Sequence, residues 1–156
     1  ATGGGGGATG GGSGGGAPDA GAVQGGDTCA LAPDVSAGGS FPGQSTQSAT
    51  DDYGPSGPGC PTGGAASGRD VAYRLQPANT TTYTVRVTPL PSTPSFDPML
   101  YAVTTCGTSG CLAGTVLNGP GQAEEITLTV NAGQVVYVVV DGELASRGDF
   151  DLLITP

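Results

Sequence analysis

The sequence predicts an all-β protein: an antiparallel β-sandwich carried behind an extended glycine-rich N-terminal arm. Three observations carry that expectation. Gln134–Gly142 (QVVYVVVDG) holds six apolar residues in a row, Val135 to Val140, β-branched but for one tyrosine and bounded by turn residues on both sides. Four further segments alternate apolar and polar residues with period two, as strands with one buried and one wet face do. No segment of any length carries a helical period.

Residues 1–26 (ATGGGGGATGGGSGGGAPDAGAVQGG) contain 14 of the 31 glycines and no apolar side chain larger than Val23, so no core comes from them. Their composition is that of a flexible linker. Extended as polyproline II, at about 3.1 Å per residue, the arm reaches roughly 80 Å, about twice the span of a domain the size of the remaining chain. It is therefore long enough to run past its own body onto a neighbour. Extended glycine chains pack closely because no Cβ intervenes, and Gly5, Gly11 and Gly15 are the positions expected to lie where arms meet. The tract lacks a Gly-X-Y period, which excludes collagen.

Residues 27–156 make the body. Asp27–Pro33 is tethered by Cys29, and Asp34–Ser36 and Ser40–Thr46 read as short edge strands. Thr50–Gly68 is a long loop of turn residues tied by Cys60. Strands then arrive at regular spacing. Asp70–Leu75 puts Val71, Tyr73 and Leu75 on one face. Thr80–Thr88 turns Tyr83, Val85 and Val87 inward and Thr82, Thr84, Arg86 and Thr88 outward. Met99–Thr104 follows, then Glu124–Val130 with Ile126, Leu128 and Val130 inward. In the apolar run Val135, Tyr137 and Val139 take one face and Val136, Val138 and Val140 the other, the pattern of a central strand covered above and below. Asp149–Thr155 ends the series with Phe150, Leu152 and Ile154. Six or more such strands make a sandwich.

The charge balance excludes some partners. Thirteen acidic residues against four arginines, with no lysine or histidine, leave a net charge of −9. Such a chain is repelled by nucleic-acid phosphates and by anionic lipid. No stretch is long enough to be a transmembrane helix. The acidic surface favours solubility and attracts divalent cations. The chain opens on Ala1 without a hydrophobic signal segment, so a mature form left after signal cleavage is expected.

Cys29, Cys60, Cys106 and Cys111 are an even set, and without histidine or a C-x-x-C spacing a zinc site is disfavoured. Disulfides, and hence an oxidising, extracellular compartment, are expected. Of the three possible pairings, Cys106–Cys111 closes over the Gly-rich turn between them, which leaves Cys29–Cys60. The latter closes a long loop and stabilises by about 3–4 kcal/mol.

Catalytic groups are scarce. Without histidine or lysine, and with its cysteines oxidised, the chain has no triad and no Schiff-base lysine. Glu124 and Glu125 are adjacent on a strand and point to opposite faces, so they cannot flank one bond. Asp51 and Asp52, beside Tyr53, are candidate oxygen ligands for calcium together with Asp70, Asp97 or Asp141, although no EF-hand spacing is present. As turn residues they also serve by accepting backbone N–H bonds. No cofactor is expected beyond such an ion. Arg147-Gly148-Asp149 spells an adhesion tripeptide, a match that chance also supplies, and Asn79-Thr80-Thr81 is an N-glycosylation sequon.

Gly68-Arg-Asp70-Val-Ala-Tyr73-Arg-Leu75, Phe96-Asp97-Pro-Met-Leu100-Tyr101, Glu125–Val130, Ala132-Gly133-Gln134 leading to Val140-Asp141-Gly142, and Gly148-Asp149-Phe150 follow one another in a familiar order. Over about residues 68–156 this resembles the bacterial pre-peptidase C-terminal (PPC) domain, in a cysteine-containing variant of secreted bacterial proteins. The resemblance implies a jelly-roll-like sandwich and an accessory role beside secreted enzymes. Two functions are then expected of this chain. One is a non-catalytic, secreted structural protein that self-assembles through its arm into a filament or surface array, as a homo-oligomer or homopolymer. The other is an accessory module binding protein or polysaccharide, with the arm as a linker.

Overall fold

The structure, a computed structural model, describes residues 23–156. Gly5, Gly11 and Gly15 lie outside the described residues. The body holds eight strands: β1 (Gly39–Ser45), β2 (Val71–Leu75), β3 (Thr81–Pro89), β4 (Pro98–Val103), β5 (Ala113–Thr115), β6 (Glu124–Val130), β7 (Val136–Gly142) and β8 (Asp149–Thr155). A single 3-10 turn, Cys29–Leu31, is the one helical piece among the described residues, and no helix there is long and apolar enough to cross a membrane.

The strands form two four-stranded antiparallel sheets, ordered β1-β8-β3-β6 and β2-β7-β4-β5. Each strand pairs with its complement from the other end of the series, β1 with β8, β2 with β7, β3 with β6 and β4 with β5. That is a long two-stranded ribbon wrapped on itself, the jelly-roll order. Only the β4–β5 hairpin stays within one sheet; the other connections cross between sheets.

The inner faces meet in one core. Tyr83, Val85 and Val87 of β3, Ile126, Leu128 and Val130 of β6 and Phe150, Leu152 and Ile154 of β8 pack against Val71, Tyr73 and Leu75 of β2 and Val136, Val138 and Val140 of β7. Every one of these faces is the one expected from period-two alternation.

The two sheets differ outside. The outer face of β3 and β6 is wet, with Thr82–Thr129 and Arg86–Glu125 pairs across the strands. The outer face of the β2-β7-β4-β5 sheet is dry. Ala72, Met99, Tyr101, Val103 and Val139 form a second cluster there, roofed by Tyr53 and Ala66 of the β1–β2 connection and by three of the half-cystines. This double burial is why β7 and β4 read as apolar runs rather than alternating ones. β7 is indeed an inner strand, between β2 and β4.

Three expectations need correction, the first being that Asp34–Ser36 is a strand, since only Asp34 makes an isolated parallel bridge, to Arg74. The disulfides are Cys29–Cys106 and Cys60–Cys111, not Cys29–Cys60 and Cys106–Cys111. Cys106 and Cys111 sit in the β4–β5 connection, whose ends are already joined by strand pairing, so a local bridge adds little. Each instead reaches a different segment. Gly110 N donates to Ser56 O at 2.6 Å and Cys111 N to Pro58 O at 2.9 Å, which lays the Cys60 segment along Cys111. Cys29 N donates to the hydroxyl of Tyr53 at 3.0 Å, over the same sheet face as Cys106. The pairs span 77 and 51 residues of sequence. The packed chain also begins before Asp27. Gly26 and Ala72 exchange backbone hydrogen bonds of 3.0 and 2.8 Å, and Val23 packs against the main core.

Candidate functional site

β2 and β7 run antiparallel with Val71 opposite Val140, so the next pair outward is Asp70 and Asp141. Facing residues on neighbouring strands hold their Cβ atoms about 5 Å apart. On the other side of β7, Met99 faces Asp141 and Tyr101 faces Val139. Asp141 and Val139 share a face, so Tyr101 lies diagonal to Asp141 on the dry outer surface. Asp70, Asp141 and Tyr101 are 0%, 0% and 2% exposed.

The β1–β2 connection closes over them. Asp52 N and Tyr53 N donate to Asp70 Oδ2 at 2.9 and 3.0 Å, and Gly142 N donates to Asp141 Oδ1 at 2.6 Å. The remaining oxygens, Asp70 Oδ1, Asp141 Oδ2 and the Tyr101 hydroxyl, are buried without a hydrogen bond. Nor does an arginine reach them. Arg74 pairs with Asp34 at 2.9 Å, Arg86 with Glu125 at 3.3 Å, Arg69 donates to Gln47 O, and Arg147 is exposed.

Two buried carboxyls side by side without a counter-charge resist ionisation. Burial lifts Asp70 to about 6 despite the two N–H donors, with Asp52 and Asp51 adding repulsion. Asp141 rises to about 7, through burial first and then the Asp70 charge. Tyr101 is pushed upward by burial and by the Asp141 and Asp70 carboxylates.

Of the five aspartates singled out as calcium candidates, the fold thus brings Asp70 and Asp141 together, with Asp51 near enough to perturb both. Asp52 contributes its N–H, while its carboxylate accepts from Thr50 Oγ1 at 2.6 Å. Asp97 stands apart with Glu143 and Glu124, and burial raises it. Among the described residues no three His, Cys, Asp or Glu side chains converge as a ready metal cage.

Three buried polar residues carry no functional signal in the sequence: Tyr101, Glu124 and Gln44. Tyr101 sits within a wholly buried strand whose pattern carries no phase. Glu124 falls in phase with Ile126 and Leu128, which was the signal that it faces inward. It accepts from Thr115 Oγ1 at 2.7 Å and Asn118 N at 2.6 Å. Gln44 follows a bulge in β1 that breaks the count. Its amide takes 2.7 Å and 3.1 Å bonds with Val23 O and Gly25 N, and it accepts from the Tyr73 hydroxyl at 2.8 Å.

Other features hold no exposed site. Asp149 of the adhesion tripeptide is bound by Ser45 Oγ at 2.7 Å and Gln47 Nε2 at 2.8 Å, and Gly148 is buried against Phe96. A pocket between Tyr53, Tyr101, Cys106 and Val139 measures about 10 Å3, the room of one water molecule. Asn79 is exposed in the β2–β3 turn. No family model, curated protein or solved structure matches this chain. Fold and site define it as a disulfide-stapled jelly-roll sandwich with a buried acidic pair.

Proposed function

We propose that the chain is a non-catalytic, secreted structural protein of the cell surface or extracellular space, related to the PPC-like modules of bacteria, that self-assembles through its glycine-rich arm. One observation carries the reading, the way the base of the arm joins the body. Gly26 pairs backbone to backbone with Ala72 on the edge strand β2, and Gln44 holds Val23 and Gly25. A Cβ on Gly25 would stand 2.8 Å from the Tyr73 ring, and one on Gly26 would run into the backbone of Leu31. The base of the arm therefore already docks through bare backbone at distances only glycine permits.

The 12 glycines of residues 1–22 offer neighbouring chains the same chemistry. Each backbone hydrogen bond contributes about 0.5–1.5 kcal/mol against an ordering cost of about 1–2 kcal/mol per residue. A lone arm on a surface does not hold on those terms. Many arms packed together, with water excluded, do, so assembly is cooperative. The oxidised, lysine-free body suits exposure outside the cell.

The test is electron microscopy and light scattering of the full chain and of a chain lacking residues 1–22, which keeps Val23–Gly26 in place. Fibres or arrays are expected from the full chain above a threshold concentration, and folded monomers from the truncated one. Gly5→Val, Gly11→Val and Gly15→Val together raise the threshold about tenfold or more. A full chain that stays monomeric at high concentration, or a truncated chain that assembles equally well, sinks this reading. The chain is then an accessory module whose arm is a linker, and screening for polysaccharide or protein ligands becomes the next step.

A further inference from the structure

We propose that Asp70 Oδ1, Asp141 Oδ2 and the Tyr101 hydroxyl form a divalent-cation site, suited to calcium, on the outer face of the β2-β7-β4-β5 sheet beneath the β1–β2 connection. Three independent features converge on it. The strand register sets the two carboxylates side by side, and Tyr101 lies diagonal to Asp141 on the same face. One oxygen of each carboxylate is anchored by backbone N–H groups, which fixes the side chains and leaves the second oxygen free. The three remaining oxygens are buried, belong to three strands or strand ends, and lack a hydrogen bond, with the Gly68 N–H only close enough to Asp141 to oppose its rise. The Tyr101 hydroxyl feels the charge of both carboxylates yet donates to neither.

Oxygen donors alone, two carboxylates and a neutral phenol with no nitrogen or sulfur among them, match calcium rather than zinc or copper. Calcium tolerates irregular geometry, whereas magnesium demands a near-ideal octahedron and holds its waters. With two buried carboxylates and Asp51 at the rim, the ligand charge is modest. Affinity belongs in the range of extracellular modules, about 10⁻⁴–10⁻³ M. The ion would neutralise the pair and clamp the connection bearing Asp52 and Tyr53 onto the sheet.

The experiment uses the full disulfide-bonded chain, stripped with chelator at pH 7.5. Adding 10 mM calcium is expected to raise Tm by about 5–10 °C, and 10 mM magnesium by much less. Terbium, a calcium surrogate, should show saturable luminescence sensitised by tyrosine, since the chain has no tryptophan. Asp70→Asn and Asp141→Asn remove one buried charge each, so in chelator they melt no lower than the parent, yet lose the calcium shift. Tyr101→Phe keeps the fold and loses most of the sensitised emission, which guards against an asparagine variant that fails to fold. The site is overturned if the parent shows neither a calcium shift nor saturable emission, in which case the two carboxyls share a proton. It is equally overturned if the shift survives in both asparagine variants, because the ion then binds elsewhere on the acidic surface.

Discussion

Asp70 and Asp141 sit where burial makes a carboxylate costly, and pH reports that cost. Both titrate higher in the folded chain, near 6 and 7, than the ordinary value of 3.8. Below about pH 4 both are protonated in either state, and their contribution to stability is fully present. As pH rises, the unfolded chain gives up its protons first, so folding loses stability through the window from about 4 to 7 and then levels off. The groups facing the pair (Asp51 and Asp52 of the connection, and Tyr101 of β4) are acidic or neutral, so none reverses the sign. In chelator, urea titrations at pH 4.5 and 7.5 are expected to give lower stability at the higher pH, by a few kcal/mol. Asp141→Asn should flatten that slope; an unchanged slope would mean that other carboxylates set it.

At the scale of the element, β7 is the strand with most to lose. It is hydrogen-bonded on both edges and covered on both faces. Val139 is 0% exposed in the roofed cluster, so Val139→Asp places an unpaired carboxylate where no partner exists. The cost is several kcal/mol against a total stability of about 5–15, enough to unfold the domain or bring it to the edge. Thr84→Asp, on the wet face of β3, should stay within about 0.5 kcal/mol of the parent. Circular dichroism melts compare the two, and similar midpoints would contradict the double-covered placement of β7. β5 shows the opposite limit. Three residues long, with Ala113, Gly114 and Thr115, it has neither β-branched density nor alternation and exists because β4 offers it an edge.

The whole molecule is held from outside its core as well as within it. Both disulfides join the β4–β5 connection to segments that come before β2, so they fasten the roof over the dry face. Each closes a loop of 77 or 51 residues, worth about 4 kcal/mol on the chain-entropy estimate. Trypsin provides a direct test, because the arginines are Arg69, Arg74, Arg86 and Arg147. Without reductant, residues 1–69 and 87–147 are expected to remain linked as one species. Two separate fragments, each with an internal bridge, would restore the Cys29–Cys60 and Cys106–Cys111 pairing.

By itself the sequence determined the strands, their inward faces, the oxidised cysteines and the change of composition at the arm. Each of these is local: alternation follows from the geometry of one extended chain, and Tyr83, Val85 and Val87 face the core for that reason alone. The tertiary structure decided what depends on segments far apart in the chain. Asp70 meets Asp141 only through the β2–β7 register, and Gln44 grips Val23 only because β1 bulges before it. Cys106 prefers Cys29 to its near neighbour because the connections cross the dry face together. Loop-closure entropy, which favours short loops, is overruled once strand pairing has already closed the short one.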